Sequence, residues 1–315
     1  MGMIGDFVNS MVNSLTNMMK DAVGSALTCA SNLLADGLTS TTTTTDASGN
    51  SSGIIANFIY ASPFEWKAGA EDEVNGVSIW HTLGAICDSA VVPLGAFIMA
   101  LVLIYELVSM VEQSNSFRQM DTSIFVRWTL KFICGVLFVS NIWTIVKSIF
   151  AIGTSFTKLA GDRYISSVRD FGQESISVPS GYNFGQYLIL LLLSGILIIS
   201  IMILICVIVV VLCSRMLECF MYIGIAPVTS ATLWSQDWKD IGFNWLKNIL
   251  ALALQGLFII FAIGIFSVLM QNVINTINSG GSVYMKMAIL LGYTVSMIFT
   301  MLRTSNISKS IFNAH

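Results

Sequence analysis

From Tyr187 to Cys213 the chain reads YLILLLLSGILIISIMILICVIVVVLC, 27 residues without one charge. A helix needs roughly 20 apolar residues to cross about 30 Å of hydrocarbon. At ~1.5 Å per residue this run reaches ~40 Å, so it tilts or projects beyond the bilayer. Composition agrees: 55% of the residues are hydrophobic and 10% charged, with a mean hydropathy of +0.78. Soluble domains carry about 25% charged residues. The chain is therefore expected to be an all-α integral membrane protein.

Four other runs are expected to span fully: Ser89–Val111, Ile124–Phe150, Ile249–Met270 and Val283–Leu302. The first carries Pro93, Gly95 and Glu106; the second carries Arg127, Lys131, Asn141 and Lys147. Gln255 lies inside the fourth of the five spans, and Lys286 at the start of the last can snorkel. Polar loops are expected from Thr154 to Gln186 and over QNVINTINSGG, residues 271–281, with RTSNISKSIFNAH as a tail.

The stretch Arg215–Lys247 resists this scheme. Its apolar centre, Cys219–Leu233, is 15 residues long and contains Gly224 and Pro227. That is too short for an ordinary span, and proline removes a backbone donor and breaks a helix. It reads as a Pro-broken helix, either re-entrant or a sixth crossing, held where neighbouring helices re-satisfy its backbone. Charges and aromatics flank it: Arg215 and Glu218 before, Trp234, Asp237, Trp238, Lys239, Asp240 and Trp245 after. That is the signature of a membrane–water interface.

Residues 1–36 read as an amphipathic helix preceding the membrane domain. Ile4, Val8, Met11, Leu15, Met18 and Ala22 recur at alternating spacings of three and four. The stripe suits a helix packed on the protein or lying on the membrane surface, and equally a self-associating coiled-coil seam. One Lys against three Asp argues against a lytic surface peptide. Residues 1–20 lack the basic start and continuous apolar centre of a signal peptide, so the first span is expected to direct insertion. Residues 37–53, GLTSTTTTTDASGNSSG, are low-complexity and read as a flexible linker. An apolar-aromatic patch at 54–66 and an acidic turn at Glu71–Glu73 complete a segment, 37–88, expected outside the cell, with residues 89–315 as the transmembrane helical domain.

Orientation hangs on the Pro227 piece. If it is re-entrant and the N-terminus external, eight of the fifteen basic residues face the cytoplasm; if it crosses and the N-terminus is internal, ten do. The positive-inside rule favours the second, while the Thr/Ser-rich linker and the shortness of the piece favour the first.

Catalytic chemistry is not expected. His81 and His315 stand far apart without carboxylate or cysteine at ligand spacing, so neither a metal site nor a Cys/His nucleophile is read here. No Gly-rich loop leads into Lys-Ser or Lys-Thr, so no nucleotide motor and no cofactor are implied. Four of six cysteines lie in apolar runs; Cys29 and Cys87 could pair only if both are external and close. Among the intramembrane polar groups, Glu106 reads as an interfacial acid. Arg215 and Glu218, at i, i+3, read as a pair on one helix face, with gating as the sharper role. Asn141 and Gln255 read as interhelical glue worth about 0.5–2 kcal/mol each.

An amphipathic N-terminal region, a Ser/Thr linker, two spans, a loop of about thirty residues and a long apolar span occur here in that order. The long span runs into R-x-x-E…A-P (Arg215, Glu218, Ala226, Pro227), then W-x₃-W (Trp234, Trp238) and W-x-K (Trp245, Lys247). This layout resembles the TrbL-type polytopic membrane subunits of bacterial conjugation and type IV secretion systems. The resemblance implies a cytoplasmic-membrane channel or scaffold subunit with external N-terminus and internal C-terminus. It implies partners too: copies of itself in a ring of about five or six, other secretion subunits with their ATPases, and single-stranded DNA bound to relaxase in transit. With 15 basic residues and no basic cluster, the chain is not expected to read DNA itself. Motif and channel candidates are Arg215, Glu218, Gly224, Ala226, Pro227, Trp234, Trp238 and Gln255; self-association candidates are Ile4, Val8, Met11, Leu15 and Met18. A stand-alone solute or ion transporter is the alternative, and a holin-like lysis protein is disfavoured by the several long spans.

Overall fold

The computed structural model describes residues 2–39, 44–45, 51–52, 59, 62–64, 79–113, 122–173, 182–278 and 283–314. Most of the linker and aromatic patch, the acidic turn at Glu71–Glu73 and His315 lie outside the described residues. So do the side chains of Ile4, Val8 and His81.

The regular structure of the described residues is helical apart from a two-residue antiparallel ladder in the Thr/Ser segment. There β1 (Thr44–Thr45) faces β2 (Ser51–Ser52), with Thr44 opposite Ser52. The helices are α1 (Gly2–Thr39), α2 (Ile79–Ile86), α3 (Val92–Gln113), α4 (Thr122–Ser140), α5 (Ile142–Gln173), α6 (Phe184–Gly224), α7 (Ala226–Thr232), α8 (Lys239–Asn278) and α9 (Val283–Ile311). Four stretches among them are long and apolar enough to cross a membrane: Leu83–Glu112, Phe184–Gly224, Lys239–Val273 and Val283–Ile311. A fifth exists if the bent pair Phe125–Ser140 and Ile142–Gly161 forms one span. This is a multi-pass membrane protein.

Several expectations need correction. The second span is not one helix: α4 and α5 meet at 61° around Asn141. The Asn141 amide Nδ2 donates to the Leu137 carbonyl at 2.8 Å, competing with the backbone for it, and the Asn141 N–H is shared between Leu137 O and Phe138 O. A side chain inserted into the i→i−4 ladder bends a helix. Asn141 is therefore a bend residue, exposed on its own helix, rather than glue between helices.

The supposed loop from Thr154 is helix as far as Gln173, the segment after Met270 is helix to Asn278, and the tail is helix to Ile311. The parts of these segments that extend the helices contain no proline, and extending an existing helix is far easier than nucleating one. The first span starts earlier than Ser89, with α2 joined to α3 by a five-residue π turn, Cys87–Val91. The Val92 N–H reaches back to Cys87 O there. Pro93, the next residue, has no N–H to give, so the ladder loosens by one residue just ahead of it.

The chain groups into two compact units, one comprising Met1–Ile59, Lys158–Leu212 and Phe258–Thr304, the other Tyr60–Thr157, Cys213–Leu257 and Ser305–His315. In the first, α1 buries Val23, Leu27, Ala30 and Leu34. Here α6 buries Tyr187, Leu190, Ser194, Leu197, Ile201, Leu204, Ile208 and Leu212, a seam at spacings of three and four. Its opposite face, with Leu188, Leu192, Ile196, Ile199 and Ile203, is exposed and apolar, as a lipid-facing surface must be. Tyr182, Tyr187 and Tyr284 cluster near one end, where Tyr284 Oη donates to Gln186 O at 3.2 Å.

In the second unit, Trp245 Nε1 donates to Tyr222 O at 2.9 Å and Arg215 Nε to Leu252 O at 3.3 Å. Rising numbers on one helix meet falling numbers on the other, so α6 and α8 run antiparallel here. Their interface buries Cys219 and Ile223 against Trp245, Ile249 and Leu252, with Ile142, Val146 and Phe150 of α5 completing the cluster. Gly153 lets α5 approach closely: a Cβ there would lie 2.6 Å from Ala253 O.

Candidate functional site

The stretch around Pro227 is not the separate 15-residue piece that composition implied. Cys219–Gly224 forms the last turns of α6, and only Ala226–Thr232 forms the short helix α7. Seven residues rise about 10 Å, so α7 does not cross a bilayer. It joins the antiparallel α6 and α8. The break follows from proline. At position 227 it cannot donate to Ile223 O, and its ring collides with that carbonyl in a continuous helix. Ile225 takes φ −87° and ψ 1°, and α7 restarts with Val228 N–H on Ile225 O at 3.1 Å and proline in its first turn.

Ending α6 at Gly224 strands its last carbonyls, which must find donors elsewhere. Met221 O accepts from Ile225 N–H at 3.3 Å, Tyr222 O from the Trp245 indole, and Gly224 O from the Cys87 thiol at 3.6 Å. The chain's own next residue and two other elements, α8 and the π turn, therefore close one helix end.

The first membrane helix grips α7. A Cβ on Gly95 of α3 would sit 2.9 Å from the Pro227 backbone, so only glycine permits this approach. Further along, Met99 and Leu103 pack on Ala231 with Trp234 beside them. Trp234 also meets Phe138 of α4 edge-on at 6.1 Å, beside Gly135, and its indole N–H has no hydrogen-bond partner among the described residues. Trp238 is 45% exposed and stacks on Tyr105 at 6.2 Å.

Glu106 corrects another expectation. It is buried, 1% exposed, rather than snorkelling. One oxygen pairs with Lys131 of α4 and the other accepts the Gln236 N–H at 3.2 Å. The carboxylate ties α3, α4 and the connector after α7 together. Trp128 adds a second tie, donating to Leu103 O at 3.0 Å. A single acid in one apolar run and basic residues in the next were the available sign that opposite charges meet there.

Arg215 and Glu218 do not pair with each other. Arg215 sits on the buried seam of α6, 2% exposed, and its guanidinium lies against α8 where Gly256 leaves room. Its Nη1 has no hydrogen-bond partner among the described residues. Glu218, one turn on and rotated off the seam, accepts from Lys309 of α9 at 2.9 Å. Gln255, expected as glue, is buried with its Oε1 unpartnered among the described residues. Ala226 and Pro227 are buried. The structure thus sets Arg215 against Gly256, Glu218 against Lys309 and Pro227 against Gly95, and it adds the Glu106–Lys131 pair beside the connector after α7. On α1, in the other unit, Met11, Leu15 and Met18 are exposed at 55%, 42% and 66%.

No curated protein and no solved structure matches the chain. A family model described as TrbL/VirB6 plasmid conjugal transfer like protein matches residues 52–227. The matched region runs from the Thr/Ser segment through the bent pair and α6 to Pro227, so Trp234, Trp238 and Gln255 lie beyond it. It covers more than half of the sequence, and the chain belongs to the TrbL/VirB6 plasmid conjugal transfer family.

Proposed function

We propose that this chain is a non-enzymatic, self-associating channel or scaffold subunit in the cytoplasmic membrane of a conjugative type IV secretion apparatus. Family membership supplies the conjugal-transfer setting. The observation that carries self-association is α1: its second half buries Val23, Leu27, Ala30 and Leu34, while Met11, Val12, Leu15 and Met18 of its first half stay exposed. A heptad-spaced apolar seam left uncovered is a surface for another helix. The ATPases and the relaxase-bound single-stranded DNA belong to partner proteins, since this chain offers neither a nucleotide loop nor a basic track.

The antiparallel α6–α7–α8 arrangement supports a Pro227 segment that returns to the side it left. Counting the bent pair as one span then gives five crossings, which supports termini on opposite sides of the membrane; with the Thr/Ser-rich linker external, the C-terminus is cytoplasmic. The stoichiometry of the purified protein in mild detergent tests the reading. A closed ring of about five or six copies is expected, and Met11→Asp with Leu15→Asp should reduce it to smaller particles. An unchanged mass in that folded variant would sink the α1 seam. A stable wild-type monomer would instead favour a solute or ion transporter acting alone, a reading to which the buried Glu106–Lys131 pair and Arg215 lend weight.

A further inference from the structure

Glu218 has two cations within reach and engages one. Lys309 Nζ donates to its Oε2 at 2.9 Å, with both side chains about a quarter exposed. The neighbouring Ser308 Oγ donates to Ala251 O at 2.5 Å, so consecutive residues tie the end of α9 to both α6 and α8. The second cation, Arg215, stands three residues before Glu218 on the same helix, the spacing at which opposite charges meet. It is buried against Gly256 with one bond to Leu252 O and, among the described residues, no partner on Nη1. A buried guanidinium short of partners is costly, and a carboxylate is the group that would relieve it.

We propose that Glu218 is exchanged between Lys309 and Arg215, and that the docked C-terminal end of α9 is the latch that decides. While Lys309 holds Glu218, Arg215 stays inserted between α6 and α8. When the end of α9 is drawn away, Glu218 pairs with Arg215, and the guanidinium leaves Gly256. Nine residues before the helix break at Gly224, that exchange loosens the α6–α8 contact from which α7 is suspended. The latch works within one chain and is independent of whether the protein forms a ring.

The test reads Arg215 directly. Purified full-length protein in mild detergent is treated with phenylglyoxal, an arginine-specific reagent, and labelling of the Arg215 peptide is followed by mass spectrometry. Arg215 is expected to be protected in wild type and in Lys309→Arg, and to label about tenfold faster in Lys309→Gln. In Glu218→Gln/Lys309→Gln, with no carboxylate to draw it out, protection should return. Arg215 as protected in folded Lys309→Gln as in wild type would overturn the latch. So would equal labelling in the double variant, which would report general loosening. If Lys309→Gln does not fold, Lys309→Met is read in the same way.

Discussion

Replacing Gly95 with alanine isolates the contact that seats α7 on the first membrane helix. The added Cβ would meet Pro227 C, Cβ and O, each at 2.9 Å, where ordinary contacts lie at 3.4–4 Å. Two of those atoms are backbone and the third is part of a rigid ring, so none can swing aside. The helices must separate by about 0.5 Å, and overpacking of this kind costs roughly 1–3 kcal/mol. Alanine also returns about 1 kcal/mol of helix propensity relative to glycine, leaving a net loss of about 0–2 kcal/mol. Gly195→Ala in α6 is the control, because nothing lies within 4 Å of its Cβ position and only the propensity gain remains. Thermal unfolding in detergent should therefore place Gly195→Ala above wild type and Gly95→Ala at or below it, separated by the overpacking term alone. A melting temperature for Gly95→Ala raised as much as that of Gly195→Ala would refute the close approach of α3 to Pro227.

Glu106→Gln leaves Lys131 without its carboxylate in a partly buried setting. Removing one partner of a buried pair costs about 3–5 kcal/mol, and the 24% exposure of Lys131 trims this to about 1–3 kcal/mol. A thermal shift no larger than that of a surface substitution would count against the tie. Charge reversal, Glu106→Lys with Lys131→Glu, should recover part of the loss. Cysteine placed at Ser48, with the native cysteines replaced, should react with an impermeant maleimide on intact cells. Reaction only after lysis would put the N-terminal segment in the cytoplasm.

Long uncharged runs made the membrane class legible, because no other environment accepts the stretch Tyr187–Cys213. The family was legible in the order of segments and in Arg215, Glu218, Ala226 and Pro227. What the residues did not reveal were partnerships over long sequence distance. Arg215 and Glu218 are near in sequence, and helical spacing predicts that they pair. The structure gives Glu218 to Lys309, 91 positions away, and lays Arg215 on Gly256. Glu106 looked interfacial because it stands near the end of an apolar run, yet Lys131 and the Gln236 N–H, 25 and 130 positions away, keep it buried. The bend at Asn141 was hidden for the opposite reason. Its cause is local, a side-chain amide competing for one carbonyl, but hydropathy smooths over a single asparagine in an apolar stretch. The orientation question accordingly moves from Pro227, whose segment is too short to cross, to whether α4 and α5 count as one passage.

The closing of the α6 terminus by three donors makes the break redundant with its proline. In Pro227→Ala the new N–H would seek Ile223 O, but a straight helix also needs Tyr222 O and Gly224 O as acceptors. Those are held by the indole of Trp245 and the thiol of Cys87, and Val228 N–H is committed to Ile225 O. Fusing α6 to α7 would require Trp245 and Cys87 to give way and Val228 N–H to change acceptor together. The corner is therefore expected to survive loss of its proline, so a related sequence lacking a Pro here would still turn at the same place.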